Sequence, residues 1–156
     1  MTSVKNTAKR QHARLLDKAA QQLAGLTLPR EGWISTMRKA LGMSAPALAR
    51  RLGVTKPAIY QAERKEREGG ITIQQMEKLA AALGGRFVYA IIPEEGCIEN
   101  VLKAQAYKKA HAVAKHAGTH MALENQALGE DRMEEEIEAL VREFLHNPPG
   151  DFWEEK

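Results

Sequence analysis

Apolar residues recur along most of this chain at the three- and four-residue spacing of helices that bury one side, and the clearest run lies between Ser44 and Arg64. There Leu48, Ala49 and Leu52 fall on one helix face, while Ile59 and Ala62 point back to the side bearing Val54. Ser44 is placed to cap the first helix, Pro46 is tolerated only in a first turn, and Gly53 stops it. Thr55 caps a second helix whose first turn holds Pro57. Ala49 lets the pair approach closely, and Gly53 permits a turn that a larger residue would resist. The outward side of the second helix, over residues 55–65, is left with Lys56, Tyr60, Gln61, Arg64 and Lys65, a set of donors, a ring and positive charge that suits a DNA major groove.

The same pattern read from the start predicts a frayed stretch over 1–6 and then a helix with Ala13, Leu16, Ala20 and Leu23 on one stripe. Lys9, Arg10, Arg14 and Lys18 lie elsewhere on it, and two readings stand: an arm along the DNA backbone, or an amphipathic helix packed on the domain. GLTLPREG, residues 25–32, is a linker or turn. Residues 33–41 form a helix with Ile34, Met37 and Leu41 inward and Trp33 as a core plug, stopped by Gly42. Thr72 and Gln75 have capping-box spacing and open a helix that buries Ile73, Met76, Leu79, Ala80 and Leu83 before Gly84 and Gly85.

Residues 86–93, RFVYAIIP, change period and read as a β-strand stopped by Pro93. A lone strand leaves backbone groups unpaired, and no second strand is evident, so its expected partner is the same segment of a second copy. Phe87, Val88, Tyr89, Ile91 and Ile92 are then the dimerisation residues of a homodimer. A helix follows over 98–116, with Val101, Leu102, Gln105 and Ala112 or Val113 near one stripe, and Gly118 and Thr119 mark a weak point. After residues 120–127 and a loop at Gly129 comes a last helix over 131–146, with Met133, Ile137, Leu140, Val141 and Phe144 on its apolar face and Glu134, Glu135, Glu136, Glu138 and Glu143 elsewhere. Phe152 and Trp153 follow as a docking hook or a plug on the protein's own surface, with docking favoured.

Charge sharpens this picture. Residues 1–67 hold 14 Lys/Arg against 4 Asp/Glu, whereas residues 130–156 hold 3 against 10. The basic front suits nucleic acid and the acidic end calls for a different partner. Cys97 is the single cysteine, no apolar run is long enough for a membrane span, and no signal-peptide core opens the chain, so a cytoplasmic setting is expected. His116 and His120 share a helix face if the helix is unbroken, with His111 before them, but no cysteine or suitably spaced carboxylate pair joins them, so no metal or other cofactor is expected. The glutamates of 134–138 fan round their helix, and no phosphate-cradling loop or nucleophile elbow occurs, which argues against an enzyme.

The stretch SAPALARRLGVTKPAIYQAER, with one helix before it and one after, resembles the helix-turn-helix of lambda-repressor-like, XRE-type DNA-binding domains. The resemblance implies a buried pair between Arg38 and Glu63, and a loop at 65–70 (KEREGG) crossing a phosphate backbone. A strand after the same domain is similar to that of HipB-like antitoxins, which supports the homodimer. Over roughly residues 10–127, PREGWISTMRKALGM, VYAIIP and HMALENQ resemble the family called mobile mystery protein A, which implies a regulator or antitoxin beside a Fic-domain toxin.

The fold expected is therefore mainly α: a lambda-repressor-like helix-turn-helix domain over 31–85 after a basic helix and linker over 1–30, one short dimerising β-strand over 86–93, and a C-terminal helical region with an acidic tail over 94–156. The function expected is a sequence-specific repressor or autoregulator that binds a palindromic operator in double-stranded DNA. Gln61 would pair with adenine, Lys56 or Arg64 would reach guanine or phosphate, and Tyr60 would meet a thymine methyl or phosphate. Pro57 opens the same helix, and Ser44, with Arg51 or Lys65, would hold backbone oxygens. The alternative is a protein-interaction or assembly module whose helix-turn-helix no longer binds DNA.

Overall fold

The computed structural model describes the backbone of residues 2–123 and 129–155, and the side chains of 3–119 and 129–155. The described residues form α1 (Thr2–Leu23), α2 (Trp33–Ala40), α3 (Ala45–Leu52), α4 (Lys56–Glu68), α5 (Ile73–Ala82), α6 (Ile98–Leu123) and α7 (Glu130–His146), with no strand among them. None of these helices is long and apolar enough to cross a membrane. The chain divides into two compact units, Gly25–Ala90 and a second made of Met1–Ala24 with Ile91–Lys156.

The first unit contains α2 to α5. Ile34, Leu48, Ile59, Met76, Leu79 and Leu83 fill its core, and Ala45, Ala49 and Ala62 let the helices close on one another. Helix α5 is capped as the sequence suggests, with Thr72 Oγ1 accepting from Gln75 N at 3.1 Å, but Ile73 is exposed. Helix α2 turns a different side inward from the one its apolar spacing suggests. Ile34, Ser35 and Arg38 are buried, whereas Met37, Leu41 and the expected core plug Trp33 are exposed. The Arg38 guanidinium is the reason: its Nε donates to Glu63 Oε1 at 2.8 Å and its Nη1 to Met43 O at 3.1 Å, so that side of α2 must face the core.

Residues 86–93 lie in neither helix nor strand, and the short dimerising β-strand expected there is not found. The β-prone side chains supply propensity only, and a strand exists by pairing its backbone with another segment, which the described chain does not provide. Phe87 instead packs half-buried against the core of its unit and stacks on Tyr89, with ring centroids 5.8 Å apart. Val88, Tyr89 and Ile91 are 67%, 67% and 87% exposed, and Ile92 is exposed as well.

In the other unit, α6 runs without a break through Gly118 and Thr119, the expected weak point. A side chain at Gly118 would place its Cβ 3.2 Å from Met133 Cε of α7, which would have to give way by a few tenths of an ångström. The α6 stripe that meets α7 is Ala106, Ala110 and Ala114, not Ala112 or Val113, and it packs on Ile137 and Val141. The side chains of His120 and of the HMALENQ stretch lie outside the described residues. Phe152 is a plug, 3% exposed in this second core, and its carbonyl accepts from Gln105 Nε2 at 2.5 Å. Lys109, itself buried, pairs with Asp151 at 2.8 Å, and Lys108 pairs with Glu155. Trp153, in edge contact with Phe152, stays 62% exposed.

Candidate nucleic-acid interface

Local chemistry sets the geometry of α3 and α4. Ser44 Oγ accepts from Ala47 N at 3.2 Å and Thr55 Oγ1 from Ala58 N at 3.4 Å, so each hydroxyl satisfies one of the orphan amides of a helix start. Pro46 and Pro57 occupy first turns, where no amide hydrogen is needed. Between the helices Gly53 takes φ +66, a left-handed conformation that favours glycine, and Val54 N donates back to Ala49 O at 2.9 Å.

With Ile59, Ala62 and Glu63 turned into the core, the rest of α4 is fixed in orientation. Lys56, Pro57, Tyr60, Gln61, Arg64 and Lys65 are exposed, as are Ser44 and Arg51. Lys56 Nζ lies 5.7 Å from the centroid of the Tyr60 ring, a cation-π arrangement that ties two side chains of the first turns together. Arg64 Nε donates to Glu68 Oε1 at 2.8 Å, and this hydrogen bond, with the carboxylate charge behind it, raises the already high Arg64 pKa. The guanidinium keeps its other N–H groups for a ligand.

Helix α4 continues to Glu68 before Gly69 caps it at φ +80, so residues 65–68 are helical and the loop expected over 65–70 shrinks to its glycines. No residue before Gly69 breaks the helix, and the Arg64–Glu68 pair at i,i+4 supports its last turn. The extension carries a residue that the sequence reading missed. Glu66 reaches the start of α2, where Oε1 accepts from Trp33 N at 2.5 Å and Oε2 from Ile34 N at 3.1 Å. Gly32 makes this approach possible: it sits at φ +85, and a Cβ on it would lie 2.7 Å from Glu66 Oε2.

A signal for this contact was present. Helix α2 begins at Gly32-Trp33 with no Ser, Thr, Asp or Asn to cap it, so its first amides need an acceptor from elsewhere in the fold. Two carboxylates of α4, Glu63 and Glu66, thus hold α2 by its middle and its start, and both leave the outward side of α4 clear. The dimerisation residues expected at 87–92 divide: Phe87 packs against the core of its own unit, and the others are exposed. Among the described residues no group of three or more His, Cys, Asp or Glu is placed to hold a metal ion.

No curated protein and no solved structure matches the chain. Residues 34–89 match the model of the helix-turn-helix family, a span that begins inside α2 and ends at Tyr89, leaving α1, α6 and α7 outside it. These residues carry an XRE-like helix-turn-helix domain, and the kind of function this supports is that of a DNA-binding transcriptional regulator.

Proposed function

We propose that the protein is a cytoplasmic, sequence-specific repressor that regulates its own gene, and not an enzyme. The observation that carries this reading is the outward side of α4, where Lys56, Tyr60, Gln61, Arg64 and Lys65 are exposed together on a helix whose other side is locked by Ile59, Ala62 and Glu63. In the major groove Gln61 would read adenine by two hydrogen bonds, Tyr60 would meet a thymine methyl or phosphate, and Lys56 or Arg64 would reach guanine or phosphate. Ser44, Arg51 and Lys65 would set register on the phosphates, with Pro57 at the mouth of the groove.

Two copies would occupy half-sites about 34 Å apart on a palindromic operator. The apolar residues Val88, Tyr89, Ile91 and Ile92, exposed in the single chain, support a homodimer that covers them. The resemblance to mobile mystery protein A supports an antitoxin-like role beside a Fic-domain toxin, with the acidic α7 and the exposed Trp153 as the surface for that partner.

Footprinting on the DNA upstream of the protein's own coding sequence tests the reading. A protected palindrome, lost when its half-sites are scrambled, supports it. Equal affinity for the upstream and the scrambled duplex removes it and leaves an assembly module in its place.

A further inference from the structure

Helix α1 is two structures in one. From Ala13 onward it has an inner side, with Ala13, Leu16, Ala19, Ala20 and Leu23 buried or half-buried, and it packs against α6 in the same unit. Asp17 lies in this half and its Oδ1 accepts from Ile98 N at 2.8 Å, which caps the start of α6. Residues 3–12, by contrast, are exposed on every side.

The charges of α1 are arranged against its own stability. Lys5 with Lys9, Arg10 with Arg14, and Arg14 with Lys18 are like-charge pairs at i,i+4, and each such pair destabilises a helix. None of the five cations has an ion pair with a described residue. The first turn has no acidic residue to complement the helix dipole. Ten residues of helix with no packing are marginal in water. A polyanion laid along this segment removes the repulsion and supplies the missing partner.

We infer that the free half of α1 is a second DNA-binding element, an arm that grips backbone phosphates. Lys5 to Arg14 span about 14 Å of helix axis, over which duplex DNA presents about eight phosphate charges. An anionic membrane is the competing polyanion, but residues 3–12 contain a single large apolar side chain, Val4, where an interfacial helix needs a face of Leu, Phe or Trp. The inference rests on the reading of residues 34–89 as a DNA-binding domain, and its test separates the two.

The wild-type protein and the triple variant K5Q/K9Q/R10Q are titrated by fluorescence anisotropy against the upstream duplex and a random duplex of the same length, over a range of KCl concentrations. A control variant, K103Q/K108Q/K115Q, removes the same charge elsewhere. The arm predicts that log K against log salt flattens by about 2 to 3 for the triple variant on both duplexes, with the preference for the upstream duplex unchanged, the thermal midpoint not lowered and the control keeping the wild-type slope. A slope unchanged in the triple variant, or flattened equally in the control, overturns the arm while the α4 reading stands. Wild-type protein that binds neither duplex overturns both. Loss of binding to phosphatidylserine vesicles by the triple variant, with its DNA slope unchanged, assigns α1 to a membrane and overturns the arm.

Discussion

The two units close their cores by different means. In residues 25–90 the centre is Leu48 and Ile59, both completely enclosed, with Met76, Leu79 and Leu83 around them and alanines only where helices must come close. In the other unit the contact of α6 with α7 is lined by Ala106, Ala110 and Ala114, which bring the helices together but bury little apolar surface each. The bulk comes from Ile137 and Val141 of α7 and from Phe152 beyond that helix, with the Lys109–Asp151 pair beside it. The unit that carries the helix-turn-helix fills its core with large side chains from α2 to α5, whereas the α6–α7 pair also takes in Phe152 from beyond its helices.

Substitutions in the two cores sharpen this contrast. Leu48→Ala removes the most enclosed large side chain of the first unit and is expected to destabilise it by about 4 kcal/mol, read by chemical denaturation. DNA binding at elevated temperature is lost with it. Phe152→Ala is expected to destabilise the second unit by about 3 kcal/mol and to leave the preference for the upstream duplex intact. If it costs nothing, the alanine-lined contact stands without its plug and the contrast is wrong. Glu66→Ala strips the borrowed cap from α2 and is expected to lower stability by about 1 kcal/mol. Glu66→Gln, which keeps one acceptor oxygen, should restore part of that loss, and no difference between the two variants would show that the carboxylate does not act as a cap.

How much of this was legible depended on whether the cause was local. The α3–turn–α4 unit could be read because its capping residues Ser44 and Thr55 and its stop at Gly53 sit beside the helices they define. The residues proposed to touch DNA followed from the same periodicity, since fixing Ile59 and Ala62 inward fixes Tyr60, Gln61 and Arg64 outward. The face of α2 was misread because apolar spacing at Trp33, Met37 and Leu41 competes with a polar requirement, the Arg38–Glu63 pair, that only the family resemblance exposed. The contact of Glu66 with the start of α2 joins residues 33 positions apart and has no local signature beyond the missing cap. The α6 stripe was hidden for another reason: alanine is a weak marker of burial by sequence, yet it is what a close helix pair requires. Residues 86–93 show the limit of propensity, because a strand needs a pairing partner that no property of the segment supplies.

The role of α4 as the reading helix is tested most directly by the affinity of Gln61→Ala for the upstream duplex against a random duplex. The expected loss is about 1 to 3 kcal/mol on the upstream duplex and almost none on the random one. An equal loss on both, or none on either, would contradict the assignment of α4 as the helix that reads DNA.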